Sequence, residues 1–155
     1  MDGALENTCE DPQDPLSLEN QLCFSLYAAS HAIKKAYRPL LEDLGLTYPQ
    51  YLILMVLWKT DNLKVSDIGQ RLRLDSGTLT PVLKRLEASG LVKRIRRVQD
   101  EREVEIQLTE AGQALRDKAL GVRCEIVRQL KMSEPEMSSL RSELNAVIST
   151  LTEEA

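Results

Sequence analysis

The chemistry in this chain starts from a thiol. Cys23 lies in the stretch NQLCFSLYAAS, between Leu22 and Phe24. A lone Cys on an apolar helix ordinarily packs as a small filler. As a thiolate it is a nucleophile that oxidises first to a sulfenic acid. Tyr27 follows at i+4, one helical turn away on the same face. Tyr37 follows at i+14, about 40° around the helix but about 21 Å along its axis. Tyr48 opens the next helical stretch. In a chain with only 4% aromatic residues, three tyrosines at these places require a reason. Within one chain Tyr37 cannot touch Cys23; an antiparallel copy of the same helix across a two-fold axis could bring it there.

Other chemistries are poorly supplied. The three cysteines are an odd number, widely spaced and without a CxxC pair, which argues against a disulfide framework or a structural zinc site. Cys124 sits on a later helix, and Cys9 in an acidic stretch. The only histidine, His31, has no plausible partner set and is given no chemistry. One histidine also excludes most His-based triads and metal sites. With no cofactor motif and no reductant-docking motif, an enzyme is not expected, and neither is a cofactor or a metal.

These residues must be held by a mainly α-helical scaffold. The chain has 155 residues, 43% hydrophobic and 28% charged, which fits one domain with an added helical part. The longest apolar run, Tyr51 to Trp58, is too short to cross a bilayer. The acidic N-terminus lacks a basic n-region, so a secretory signal is not expected and a cytoplasmic location is. Residues 1–16 carry five acids and no base, with two prolines, and read as a disordered acidic tail. Residues 64–102 carry ten bases against five acids, although the whole chain is −4. The basic surplus is therefore local and calls for a local partner.

Periodicity predicts a long first helix over 16–44 on the stripe Leu18, Leu22, Leu26, Ala29, Ile33, Tyr37, Leu40 and Leu44. Gly45 ends it. Thr47 and Gln50 have capping-box spacing for a second helix through Trp58. A short helix over 65–72 and another from Asp75-Ser76 to Ala88 follow, joined tightly at Arg73-Leu74-Asp75. Alternation over Val92–Arg97 and Val104–Leu108 then predicts a β-hairpin. Thr109 caps a helix reaching Leu130, and Ser133-Glu134-Pro135-Glu136 caps a last one. The organisation expected is an acidic tail (1–16), a dimerisation helix with the thiol (17–46), a winged helix-turn-helix (47–108) and C-terminal dimerisation helices (109–155). The wide apolar faces of the terminal helices suit packing on their copies in a homodimer.

Two short helices with a tight link, followed by a basic hairpin, spell a winged helix-turn-helix suited to double-stranded DNA. The small residues Ser76, Gly77, Thr78 and Thr80 would let the second helix enter a major groove with its N–H groups toward phosphate. Lys84 and Arg85 lie further along for phosphates or base edges. Arg96, Arg97 and Arg102 gather at the hairpin tip for a narrow minor groove.

Here the sequence resembles the MarR family of bacterial transcription regulators. The segment SDIGQRLRLDSGTLTPVLKRLEASGLVKRIRRVQDEREVEIQLTEAG carries the resemblance, and Asp100-Glu101-Arg102 matches the family's Asp-x-Arg wing element. The resemblance implies Arg102 in the minor groove, Asp100 holding the wing tip, and a dimer on a pseudo-palindromic operator. Cys23, Tyr37 and Tyr48 further resemble the organic-hydroperoxide-sensing OhrR branch, and Tyr27 and Phe24 fit its pocket. That likeness implies a peroxide-reactive Cys23 receiving hydrogen bonds from Tyr37 and Tyr48 of the other subunit. It also implies Cys124 as the thiol that closes an inter-subunit disulfide, with Cys9 open as a competitor. Apolar neighbours at Leu22, Phe24 and Leu26 would favour alkyl or lipid hydroperoxides. The function expected is a redox-sensing repressor that leaves its operator on oxidation. A regulator released by a phenolic or lipophilic ligand, with Cys23 incidental, is the alternative.

Overall fold

The computed structural model describes residues 14, 16–98 and 100–153; most of the acidic stretch, Cys9 and the side chain of Arg102 lie outside the described residues. Six helices and a small three-stranded antiparallel sheet follow one another. They are α1 (Leu22–Glu42), α2 (Tyr48–Lys59), β1 (Leu63–Lys64), α3 (Val65–Leu72), α4 (Ser76–Ala88), β2 (Val92–Arg97), β3 (Asp100–Leu108), α5 (Glu110–Leu130) and α6 (Glu134–Glu153). This is a winged helix-turn-helix flanked by long terminal helices.

The first helix is shorter than its apolar stripe predicts. Leu18–Asn20 forms a 3₁₀ turn, and Gln21 is extended (φ −87°, ψ 112°) before α1 begins. The turn is closed locally: the Gln21 N–H donates to the Leu18 carbonyl at 3.1 Å, and Gln21 Nε2 donates to the Ser17 carbonyl at 3.0 Å. Leu16, Leu18 and Leu22 remain exposed, so no packing holds the earlier turn in α-helical form. The far end of α1 stops as predicted. Gly45 has φ +68°, the Leu46 N–H reaches the Leu41 carbonyl at 2.9 Å, and the Gly45 N–H reaches the Glu42 carbonyl at 2.9 Å. That is a Schellman stop, which a Cβ at position 45 would strain.

α2 is apolar on every side because it lies between α1, α3, α4 and α5. Tyr51, Ile53, Leu54 and Leu57 are all buried on it. Its start is fixed by Gln50, whose Oε1 accepts from the Thr47 N–H at 2.9 Å. Ile68, Leu79, Leu83, Leu86, Val92 and Ile106 complete a core centred on the helix-turn-helix and the sheet. The α3–α4 link turns on Arg73 at φ 56°, with the Leu74 N–H on the Gly69 carbonyl at 2.9 Å.

The hairpin is part of a sheet ordered β1-β3-β2. The register pairs Val92 with Leu108, Arg94 with Ile106 and Arg97 with Asp100, with an irregularity between Arg96 and Arg97. The third strand was missed because β1 has only two residues, too few to show an alternation. Asp61 Oδ1 ties the preceding turn to the sheet by accepting from the Leu108 N–H at 2.9 Å. By contrast, α6 has no fully buried residue over 134–152, and most of α1 is exposed. Among the described residues no helix is long and apolar enough to cross a membrane.

Candidate functional site

The candidate residues fall in two clusters. The first begins at α4. Asp75 caps the helix: its Oδ1 accepts from the Thr78 N–H at 2.7 Å, and its Oδ2 from the Thr78 hydroxyl at 3.0 Å. These bonds, led by the backbone one, hold the Asp75 carboxyl below its usual 3.8. The Thr80 hydroxyl donates to the Ser76 carbonyl at 2.7 Å. Leu79, Leu83 and Leu86 face the core, which leaves Ser76, Gly77, Thr78, Lys84 and Arg85 exposed on the other face. Two of the small polar side chains are therefore already engaged in shaping the helix start. Arg85 Nε likewise donates back to the Pro81 carbonyl at 3.2 Å.

A lowered folded-state pKa adds stability above the unfolded value, and that stability is lost as pH falls through the folded one. Asp75→Asn keeps a capping oxygen but removes the charge. In denaturant melts it is expected to be less stable than the parent at neutral pH and to converge with it below about pH 3.8. A pH-independent difference would refute the charge contribution.

The start of α4 and the base of the wing border one cleft of about 270 Å³, lined by Ser76 and Thr80 on one side and Arg94, Glu103 and Val104 on the other. Carboxylates that the sequence reading did not select organise this region. Glu87 Oε1 accepts from the Arg94 N–H at 3.4 Å, and Arg94 Nη1 lies 3.9 Å from Glu87 Oε2, linking α4 to β2. Lys64 Nζ pairs with Glu103 at 2.6 Å, and Arg97 Nε with Glu105 at 2.8 Å. Arg97 is thus held along the sheet, while Arg96 stands exposed beside it. Asp100 opens β3 opposite Arg97. Arg102 lies in β3, two residues on.

The second cluster lies where α1 meets α2. The Tyr37 and Tyr48 rings are 5.0 Å apart, Tyr37 and Tyr51 5.7 Å, and Tyr48 and Tyr51 6.4 Å. Tyr51 also meets Trp58 edge-on at 6.4 Å. Burial, then the neighbouring Tyr51 and Tyr48 phenols, push Tyr37 up to about 12 against the opposing charge of Arg123. Tyr48 and Tyr51 are raised too, chiefly by burial. All three phenols therefore keep their protons near neutrality and remain hydrogen-bond donors.

Cys23 is exposed near the opposite end of α1, and Cys124 is exposed on α5. Tyr27 stacks on His31 at 4.3 Å rather than on the other tyrosines, and Phe24 is 40% exposed. One chain thus assembles the tyrosines, with Cys23 14 residues before Tyr37 near the other end of α1 and Cys124 exposed on α5. Tyr51 and Arg123 were not selected from sequence; the spacing of Tyr51, three residues after Tyr48, was the available signal. Among the described residues no cluster of His, Cys, Asp or Glu could hold a metal ion.

Comparison with known proteins agrees with this architecture. Residues 35–119 match the family described as transcriptional regulator SarA/Rot. The chain is 48% identical over 142 residues to the organic hydroperoxide resistance transcriptional regulator of Bacillus subtilis (strain 168), a match spanning 92% of this chain and 97% of that one. It is similar to a solved structure of reduced AbfR, a Staphylococcus epidermidis protein, bound to DNA, at 40% identity and a TM-score of 0.73, covering 86% of this chain and 94% of that one. The disulfide form of AbfR matches at the same 40% identity with a TM-score of 0.64, covering 88% and 92%. These relatives are regulators rather than enzymes. A helix-turn-helix with a three-stranded wing, long outer helices and this degree of identity place the chain in the MarR family of DNA-binding transcription regulators, as a member of the OhrR type.

Proposed function

We propose that the protein is a redox-sensing repressor that works as a homodimer on a pseudo-palindromic operator. The observation that carries this reading is the split site: a tyrosine cluster at one end of α1 and an exposed Cys23 14 residues earlier on the same helix. Pairing two α1 helices antiparallel brings Cys23 of each chain to Tyr37 and Tyr48 of the other. The exposed apolar residues of α1 and the unburied face of α6 supply the surface for such a dimer. The relatives support the same reading, since one is named for organic hydroperoxide resistance and another is known in reduced DNA-bound and disulfide forms.

In the reduced dimer, α4 enters the major groove with Ser76, Gly77, Thr78, Thr80, Lys84 and Arg85. The wing approaches the minor groove with Arg96 and Arg102, and Asp100 sets its tip. Arg97 contributes once it exchanges Glu105 for phosphate. Affinity falls steeply with salt, because phosphate contacts release counterions.

Oxidation then proceeds in two balanced steps. The Cys23 thiolate attacks the terminal oxygen of an organic hydroperoxide; the O–O bond breaks, giving a sulfenic acid and an alkoxide that leaves as the alcohol after taking a proton. The Cys124 thiol of the partner subunit attacks that sulfur, forming the disulfide and releasing water. Bonding needs the two Cα atoms within about 7 Å, so helices must move. The spacing of the two wings changes and the operator is released.

The test is a gel shift on operator DNA together with a non-reducing gel, for wild type, Cys23→Ser and Cys124→Ser. Organic hydroperoxide is expected to release wild type and produce a dimer-sized band that dithiothreitol reverses. Cys23→Ser should stay bound, and Cys124→Ser should form no such band. Release of Cys23→Ser by peroxide would overturn the reading; a surviving band in Cys124→Ser would transfer the second role to another thiol.

A further inference from the structure

The outer face of the wing is neutralised from within the chain. Val92, Val104, Ile106 and Leu108 turn one face of the β2–β3 hairpin toward the core. Glu103 and Glu105 alternate with them and lie on the other face. Arg97 meets both there: its Nε lies 2.8 Å from Glu105 Oε2, and its Nη1 lies 3.9 Å from Glu103 Oε2. The other oxygen of Glu103 holds Lys64 Nζ at 2.6 Å. Lys64, Glu103, Arg97 and Glu105 thus form one string of ion pairs without net charge.

The strand register favours this arrangement. β2 and β3 pair regularly from Val92 opposite Leu108 to Arg96 opposite Val104, a course that would next set Glu103 opposite Arg97. The shift between Arg96 and Arg97 puts Asp100 there instead, and the Arg97 side chain reaches back along β3 to Glu105. The two partners are unequally covered. The Glu105 side chain is 19% exposed and that of Arg97 46%. An anion arriving from solvent therefore meets the guanidinium before it meets the carboxylate. Phosphate and carboxylate present a guanidinium with the same paired oxygens, so they compete for it directly.

We propose that Glu105, backed by Glu103, is a built-in competitor for DNA phosphate that sets how tightly the wing grips. The proposal deepens the DNA-binding part of the reading above and rests on it for one point, that Arg97 meets phosphate; it is independent of the redox step. In the free protein Arg97 is held by Glu105. On DNA it passes to a phosphate oxygen, and Glu105 is left as an unpaired carboxylate beside the duplex. The exchange trades one ion pair for another, so it adds little affinity. It also releases little salt, because the cation given up by the phosphate is retained near the carboxylate. A regulator held less tightly needs a smaller structural change to let go.

The test is a thermodynamic cycle. Glu103 lies near enough to take over Arg97, so both carboxylates are replaced: Glu103→Gln, Glu105→Gln. The probe is a fluorescein-labelled duplex of random sequence, since phosphate contacts are independent of sequence. Anisotropy is measured over a range of salt with the reduced full-length protein, and thermal midpoints check folding. The double variant is expected to bind about three-fold more tightly per wing, about ten-fold for a dimer, the value of a partly exposed ion pair. The slope of log Kd against log salt should steepen by about one per wing. Adding Arg97→Gln to the double variant should cancel both changes. Unaltered affinity and slope in the double variant would overturn the proposal. So would a gain that survives Arg97→Gln, which would mark a general loss of negative charge rather than release of Arg97. If Arg97→Gln changes nothing in either background, Arg97 leaves the DNA interface and the reading fails at that residue as well.

Discussion

Replacing Tyr37 and Tyr48 together by Phe is expected to slow the first oxidation of Cys23 by about a hundred-fold, with each single change giving about ten-fold. A hydrogen bond to a charged group contributes about 1.5–3 kcal/mol, and 1.4 kcal/mol is a factor of ten. The two phenols are raised by burial, so they offer protons rather than accept them. Donation to S⁻ favours the charged, nucleophilic form of the thiol. Phe keeps both rings, and with them the 5.0 Å contact between positions 37 and 48 and the packing on Tyr51. The variants should therefore fold and bind operator like the parent, losing only speed. The measurement is the rate of sulfenic acid trapping in a Cys124→Ser background, where the disulfide step is absent. Thermal midpoints serve as the control for folding. An oxidation rate equal to that of the parent would remove these tyrosines from the sensor.

The contrast between what the chain shows locally and what only the folded molecule shows is sharp around this site. Helix limits were legible where a cap announces them. Asp75 and Thr109 each hold an N–H three residues on, and Ser133 with Glu136 closes the start of α6. The first helix was overestimated because an apolar stripe says which face would pack, not whether anything packs there; among the described residues before Gln21, Leu16 and Leu18 are both exposed. Arg94 reads as one basic residue among many, yet it lies on the apolar side of the strand alternation, opposite Ile106. Its Nε is buried without a partner among the described residues, and its backbone serves Glu87 on another helix. The pairing of Arg97 with Glu105 depends on strand register, which the composition of the hairpin does not reveal. For the proposed thiol site, residue types and spacings singled out Cys23, Tyr37 and Tyr48, and the fold brings the two tyrosines of that set together. The contribution of Tyr51 and Arg123 depends on how α2 and α5 come together, a tertiary fact.

The steepest loss of stability is expected from adding a single methyl group at Gly112. This residue lies in the first turn of α5, and a Cβ there would stand 2.1 Å from the Leu91 carbonyl oxygen and 3.2 Å from Leu108 Cδ2. The obstacle is backbone, which cannot rotate away. Nor can Leu91 retreat easily, because its carbonyl accepts from the Thr109 N–H at 3.1 Å. The Thr109 hydroxyl is fastened in turn, donating to the Gly90 carbonyl at 2.6 Å and accepting from the Gly112 N–H at 3.0 Å. Making room means lifting α5 from the wing, which also strains the bond from Trp58 Nε1 to the Gly112 carbonyl. Overpacking of this kind costs about 3 kcal/mol, more than the roughly 1 kcal/mol that Ala gains over Gly in a helix. Gly121, on the same helix, supplies the matched comparison: a Cβ there meets nothing within 4 Å. Gly121→Ala should therefore raise stability by about 0.5–1 kcal/mol, while Gly112→Ala lowers it. Urea midpoints of the two variants, measured at one protein concentration, should fall on opposite sides of the parent. A Gly112→Ala midpoint at or above the parent's would show that α5 does not seat against Leu91, and the wing would lose its rigid attachment to the outer helices.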